Sequence, residues 1–489
     1  MLKSNSQITF VVALLRSLDS TILSALLVIC WRILASIRVF SRRELSPQSF
    51  QSLELRLERL ARELARVLLQ YALNNAEASS KPCPIYWEYR TYLPAFRQSR
   101  KIETRFGTVS YRRWIYQNEL FFVRDVAAMD LRLGLVGDRV SPALAHKLGR
   151  LAADLAQQPA IQQLAEQFNI HFSVDTYRSV VESLSYEVGY LHDAVAIQEL
   201  ARLIEDARKT KGKHEVLLLV GRDGVHVPMR GCWKEAGCAT LAVYDRNRKR
   251  LGTIYLGEMP QSKQTELTKR LTNVIEGTLK ASGVLPLKLR YVTDAGSIPH
   301  GYFRKVLAKM NHPVTGKALK WSWGVDFFHA CEYVSQMADS LFGAGTTESQ
   351  DWFKENRHTL RHVKNGVQKV VTRAAQHKRR HGLKGSEKDY TEAKGYLSKY
   401  SAHMDYAHRR IEGDPIGSGV TEAGCKVIFN QRMKQSGMRW SKRGGQWIVD
   451  LRTACRSRLW DKIWNRYLST IDQPTEINQP KPKNELAAA

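Results

Sequence analysis

An α/β core carrying a long all-helical insertion, preceded by a mainly helical N-terminal region with a helix-turn-helix, is the fold class this sequence predicts. Three observations carry it. Between residues 211 and 332, strand-length apolar runs alternate with helix-length amphipathic segments, the pattern of a mixed sheet with crossover helices. From 333 to 413 the chain reads as helical and basic, with no strand-like run. Ahead of both, residues 159–184 (PAIQQLAEQFNIHFSVDTYRSVVESL) read as two helices separated by a break at Asn169 to Phe172.

The first region, 1–78, opens with the most apolar segment of the chain, residues 8–40. Arg16, Asp19 and Arg32 interrupt it and leave a charge-free run of 12 residues from Ser20 to Trp31. That falls short of the roughly 20 residues a spanning helix needs. A buried or self-associating helical hairpin is expected, with a membrane-associated or signal-like segment as the less favoured reading. From Pro47 to Asn75, leucines recur at steps of three and four, which predicts an amphipathic helix suited to a coiled-coil partner or to packing on its own domain. Residues 79–130 form a small strand-rich module, in which KIETRFGTVSYRRWIYQN alternates on either side of Gly107 as a hairpin would. Residues 131–210 return to helix. Within the 159–184 unit, Leu164 and Ala165 belong to the first helix, Ser173 caps the second, and Asp175, Thr176, Arg178 and Ser179 fall on the exposed face of a recognition helix.

The core begins at 211. HEVLLLVGRDGVHVPMRG predicts an apolar strand ending at Arg222 and Asp223, then a turn and an alternating strand. ATLAVYDRNRKRLGTIYLGEMP adds a strand pair, with RNRKR on an exposed turn, and SKQTELTKRLTNVIEGTLKASG a helix closed by Gly283. LPLKLRYVTDAG is a strand whose apolar residues stop just before Asp294. SIPHGYFRKVLAKM is a helix, and ALKWSWGVDFFHACEYVSQMADSLFG leads a strand into another helix. After the basic insertion, 414–468 supplies the closing helices of the core, with Glu422 near the start of the first. The proline-rich, polar segment 469–489 is expected to be a disordered tail.

Charge narrows the partner. The chain holds 75 Lys and Arg against 47 Asp and Glu, a formal charge of +28, which favours a polyphosphate partner. The excess is clustered: between Asp351 and His381 there are nine Lys or Arg against two acids, and RMKQSGMRWSKR covers 432–443. Lys378, Arg379 and Arg380, with Arg432, Lys434, Arg439, Lys442 and Arg443, are therefore candidate contacts to DNA phosphates. The seven cysteines show no CxxC spacing, which supports neither a disulfide framework nor a thiolate zinc site and fits a reducing cytoplasm.

Three acids stand at the ends of expected ordered elements beside small residues: Asp223, Asp294 and Glu422. Taken singly, an aspartate at a strand end is also a common turn residue, and an acid near a helix N-terminus also complements the helix dipole. Taken together, carboxylates about 4 Å apart repel by roughly 4 kcal/mol per pair at an effective dielectric of about 20. A bound cation relieves that repulsion, and oxygen donors select Mg2+ or Mn2+. Two such ions activate a water or a 3'-hydroxyl and stabilise both oxygens at phosphorus. Asp326 and His329, spaced i, i+3, share a helical face. They read either as a buried histidine tied to its neighbour or as groups supporting the metal site near Glu422.

The strings RDGVHVPM, YVTDAG, VDFFHACEYV and PIGSGVTEAGCK with QRMKQSGMRWS are similar to the signature blocks of the ISKra4-type insertion-sequence transposases, a branch of the DDE superfamily with an RNase H-like core. The resemblance spans roughly 210–460. It implies that Asp223, Asp294 and Glu422 are the catalytic metal-binding acids, with Asp326 and His329 in the block after the second aspartate. It implies cleavage of transposon ends and joining of the 3'-hydroxyl to target DNA without a covalent enzyme intermediate. The implied partners are double-stranded DNA, as terminal repeats and target, and further copies of the chain in a dimer or larger assembly, in a bacterial cytoplasm at the nucleoid. Relatives begin with a cysteine-rich, zinc-knuckle-like region. Here only Cys83-Pro84 stands, with Trp87 and YQNELFF at the partner positions, so zinc is not supported. Many relatives carry a DG pair where this chain has Asp294-Ala295. Two rival functions share the same acids: an RNase H-like nuclease or resolvase that cuts without joining, and a non-catalytic DNA-binding protein derived from a transposase.

Overall fold

The computed structural model describes residues 20–42, 44–77, 80–118, 123–283, 286–471 and 473–477. They belong to two compact units, Met1–Leu184 with Leu468–Ala489, and Ser185–Tyr467. The expected separate regions 1–78 and 79–130 thus share one unit, and the boundary expected at 210 falls instead at residue 184.

In the first unit, α1 (Ser20–Ser41) and α2 (Pro47–Asn75) form a helical hairpin. A reciprocal cap sets the start of α2: Ser46 Oγ accepts from the Ser49 amide and Ser49 Oγ from the Ser46 amide, with Pro47 at the first helical position. The hairpin expected within 8–40 is not what forms: residues 20–41 are one continuous helix, and its pairing is with α2. The expected burial also fails. Leu27, Val28, Trp31 and Leu34 stay exposed, because α2 offers only one apolar stripe and α1 is apolar around most of its circumference. At 22 residues, α1 is also long and apolar enough to cross a membrane. Residues 1–19 lie outside the described residues.

Strands β1 (Ile85–Trp87), β2 (Arg90–Thr104) and β3 (Gly107–Gln117) form the expected module, with Thr104 opposite Gly107 at the hairpin. Leu73 of α2 joins Ile102, Val109, Tyr111 and Met129 in its core. Thr475–Glu476 pairs with β1 at Ile85 and Tyr86. This corrects the expectation of a disordered tail over 469–489 as far as residue 477; the rest of that segment, like residues 119–122 of YQNELFF, lies outside the described residues. Short α3 (Ala128–Arg132) leads to α4 (Pro142–Asp154) and α5 (Gln157–Phe168), which ends at Asn169 in the left-handed region (φ 53°). Ser173 Oγ then accepts from the Thr176 amide at 3.1 Å and opens α6 (Val174–Lys209). The helix-break-helix is where the sequence placed it, but its second helix runs on for 36 residues.

The second unit is built on five strands: β4 (Leu217–Pro228), β5 (Trp233–Tyr244), β6 (Arg250–Glu258), then α7 (Thr265–Ala281), β7 (Lys288–Thr293), α8 (Ser297–Lys305) and β8 (Trp321–Val325). Their order is β6-β5-β4-β7-β8. β6, β5 and β4 are antiparallel, and β7 and β8 add parallel to β4. The run expected as a strand, a turn and a second strand is one continuous strand, β4, so Asp223 sits within it. In the 245–249 turn, Asp245 Oδ1 accepts from the amides of Asn247 and Lys249, both at 2.8 Å. Arg248 of the RNRKR run is not free but pairs with Asp414 at 3.1 Å.

Helices α9 (Phe327–Phe342), α10 (Thr347–His362), α11 (Gly366–His381), α12 (Glu387–Tyr400) and α13 (Tyr406–Ile411) make up the helical segment. The boundary expected at 333 falls inside α9, so the all-helical part effectively begins after Gly343. Then come α14 (Gly419–Cys425), continued by a π-turn at Lys426–Asn430, α15 (Lys442–Arg456) and α16 (Trp460–Thr470).

One charge cluster is enclosed in this unit. Arg270 contacts Asp193 at 2.8 Å and Glu258 at 3.1 Å, and nearby Asp450 accepts from Gln446 and Ser185. Burial pushes the Asp450 carboxyl up to about 6. The folded state therefore holds this proton more tightly than the unfolded chain does, so stability should fall as pH rises from about 4 to about 6, by on the order of 2–3 kcal/mol. Asp450→Asn is expected to flatten that segment of the denaturation midpoint against pH; an unchanged slope would contradict the assignment.

Candidate active site

The parallel strands bring the acids to one edge of the sheet. Asp294 and Asp326 directly follow the last residues of neighbouring strands β7 and β8, whose final pair is Thr293 and Val325. The Asp326 amide donates to Thr293 O at 2.8 Å, tying the two strand ends together. On β4 the parallel pairing to β7 stops at Val220 opposite Tyr291, and Asp223 lies three residues beyond.

Glu422 arrives from above the sheet. Its helix α14 lies on β4 and β5: Thr421 Oγ1 meets Thr240 Oγ1 at 2.9 Å, and Cys425 Sγ lies 3.6 Å from Asp223 Oδ2. Gly221 and Gly424 permit this approach. A methyl at 221 would sit 2.0 Å from Thr421 Oγ1, and one at 424 would meet Thr240, Tyr255 and Cys238 at 3.0–3.2 Å.

Asp326 anchors that helix rather than lining the centre. It is buried, caps α9 by accepting from the His329 amide at 2.7 Å, and accepts from the Ser418 amide. The Phe327 amide also donates to Ile416 O at 3.0 Å. The PIGSG stretch is thus docked on the start of α9, which sets where α14 begins. His329 does not bond Asp326 through its ring: Nδ1 lies 2.8 Å from Glu332, and the ring packs edge-on to Tyr333 and Tyr396.

Burial pushes the Asp223 carboxyl up, and the negative charge of Asp294 adds to it, against the Gly224 amide that donates at 2.7 Å. The neighbouring Cys238 thiol, burial and the charge of Asp223 all push the Cys425 thiol up, so it stays protonated and donates to Asp223. Asp294 Oδ1 accepts from the Gly296 amide at 3.0 Å. Between them, Ala295 is held at φ 66°, a left-handed backbone that favours glycine. Glu422 is exposed, and its Oε1 accepts from Ser418 Oγ at 2.8 Å.

Among the described residues, no three His, Cys, Asp or Glu side chains gather closely enough to hold a metal ion. In chemistry the donors fit a hard divalent cation: all three are carboxylates, and Asp223, raised by burial and by Asp294, is a group whose charge a cation would stabilise.

Sequence reasoning missed four contributors. Ser418 and Cys425 lie inside the PIGSGVTEAGCK block, so their proximity to Glu422 was readable but not their bonds. Tyr396 of α12 donates to Asp294 O at 2.9 Å, a contact across about a hundred residues that no local pattern signals. Arg222 is fully buried, on the opposite strand face from Asp223. It bonds Thr268 and Gln264 of the α7 start at 3.0 and 2.9 Å and stacks on Tyr302, locking β4 in place. An arginine within an apolar run was its one visible signal.

The basic candidates divide. Lys434, Arg439, Lys442 and Arg443 are exposed. They lie on or beside the segment that Trp440 bonds to Pro228 O and Arg230 N, at the end of Asp223's own strand. Arg432 is corrected: it is buried against the Trp440 ring and is not available to phosphate. Lys378 pairs with Glu387 and covers Tyr390, whereas Arg379 and Arg380 are exposed. In the first unit, Asp175, Arg178 and Ser179 are exposed and Thr176 is half-buried, with Arg178 Nε donating to Gln157 at 3.1 Å.

No protein-family model matches the chain, and no curated protein matches it.

Proposed function

We propose that this chain is a DNA transposase of the DDE class with an RNase H-like core, cutting the ends of an insertion sequence and joining the 3'-hydroxyl to target DNA. One observation carries the reading: Asp223, Asp294 and the Glu422 helix meet at the C-terminal edge of the parallel strands, with α14 contacting Asp223 through Cys425. Three antiparallel strands followed by two parallel ones, with α7, α8 and α9 between and after them, support the RNase H-like assignment.

In this reading Asp223, Asp294 and Glu422 would hold Mg2+ or Mn2+, two ions, which when bound supply charge neutralisation at phosphorus and an activated hydroxyl. The chain's own residues do the rest. Asp326 and the PIGSG loop position α14; Arg222 fixes β4 from behind; Lys434, Arg439, Lys442 and Arg443 hold the phosphate backbone near an acidic edge that would otherwise repel it. Incubating the full chain with Mg2+, a duplex bearing the element's end and a plasmid target separates the rivals. End cleavage with covalent joining supports the transposase, cleavage without joining supports a nuclease, and neither supports a non-catalytic DNA-binding protein.

The helix-break-helix at 159–184 is assigned to end recognition, and Arg379 and Arg380 to phosphate contact. Arg178→Ala should lower discrimination between end and random duplex. The double change Arg379→Ala, Arg380→Ala should weaken both duplexes alike and reduce the salt slope by roughly 1.8, the value for two phosphates. Equal losses on both duplexes from Arg178→Ala would contradict the division.

The working form is proposed to be a dimer or larger, since α1 leaves an apolar face uncovered and two DNA ends must be held together. Light scattering should give a mass of at least two chains, reduced by deleting residues 1–42, which removes α1 and leaves Leu73 of α2 in its core. A monomer that still joins ends would refute it.

A further inference from the structure

Beside Asp294 opens a cavity of about 900 Å³ between the end of β7, α9 and α12. Its wall is aromatic: Tyr333 and Tyr396 are stacked with ring centres 3.8 Å apart and planes at 15°, and His329 and Tyr400 stand edge-on to Tyr396. Lys388 and Lys399, both exposed, lie on its rim, Lys399 over the Tyr400 ring; of the two glutamates on the same lining, Glu387 is taken by Lys378 and Glu392 is exposed. Tyr396 also donates to Asp294 O, so the wall is fixed relative to the candidate catalytic acid.

Gly395 gives a second, independent indication. It lies within α12 and lines the cavity, and a methyl placed on it would meet no atom within 4 Å. Glycine is the poorest helix former after proline, and no packing in this structure requires it there. What its missing side chain does is leave the cavity mouth clear.

We propose that this cavity receives a single unpaired nucleotide of the DNA next to the bond being cut, its base against the Tyr333–Tyr396 pair and its phosphate at Lys388 and Lys399. The chemistry is specific to that class of ligand: flat aromatic walls suit a base taken out of its stack, ammonium groups at the rim suit its phosphate, and the adjoining acid is one of those assigned to phosphoryl transfer. The proposal rests on the transposase reading and adds the form of DNA that the site accepts.

The test uses the full chain and two duplexes of equal length that share one strand carrying 2-aminopurine near its end, one fully paired and blunt and one opened into a short unpaired fork by mismatched bases on the other strand. The forked duplex is expected to bind about tenfold tighter or more, with quenched 2-aminopurine emission. Tyr333→Ala should remove both the preference and the quenching, and Tyr333→Phe should keep them. Gly395→Leu, which favours the helix while filling the mouth, should also remove them, so a loss cannot be assigned to unfolding. Equal affinity for the two duplexes, or an undiminished preference in Gly395→Leu, would overturn the proposal while leaving the transposase reading intact. Failure to bind either duplex would overturn both.

Discussion

Asp223→Asn is expected to lower the rate of end cleavage by roughly a thousandfold, about 4 kcal/mol of transition-state stabilisation. The DNA dissociation constant should stay within about twofold. Asparagine keeps the shape of the side chain and one acceptor for the Gly224 amide, so β4 and its partners remain in place. What it removes is a negative charge already under pressure from burial and from Asp294. A rate within tenfold of the parent would show that this carboxylate is not in the reacting centre.

Asp326→Ala is the second large effect, and it acts through position. The buried carboxylate caps α9 and holds the Ser418 amide, so its removal leaves charged-acceptor hydrogen bonds unmade at two backbone donors. A loss of about 3 kcal/mol in unfolding free energy is expected. The catalytic consequence should follow from the freed PIGSG loop: kcat for cleavage falls while KM for DNA is unmoved, because α14 no longer presents Glu422 at a fixed place. Asp326→Asn, which can still accept from one of the two amides, should recover part of both. If Asp326→Ala loses stability but cleaves at the parental rate once folded, its role is confined to the cap.

The order of strands and helices was legible because the apolar periodicity is strong in 214–260 and 285–342; Asp223 and Asp294 were marked by where the apolar run stopped, and Glu422 by the glycine-serine turn before its helix. The single strand through Asp223 was not legible. Its second half, Gly224 to Pro228, alternates like an independent hairpin strand, and only pairing with Trp233–Gly237 of β5 keeps it straight. Asp326 was visible as a residue but not as an anchor, since its partner Ser418 lies 92 positions away. Arg432 shows the opposite error. Charge density alone placed it on the DNA surface, whereas the indole of Trp440, brought in by the end of β4, encloses it. For α1, interruptions by charge suggested burial, yet α2 can cover only one of its faces.

Manganese provides the most direct measurement of the central claim, that Asp223, Asp294 and Glu422 act as one centre. Crystals of the full chain soaked in Mn2+ and measured at its absorption edge should show anomalous density between Asp223 and Asp294, with Glu422 released from Ser418 and turned toward it. The density should disappear in Asp223→Asn. Density found elsewhere, or none at saturating Mn2+ with Glu422 still bonded to Ser418, would contradict the account.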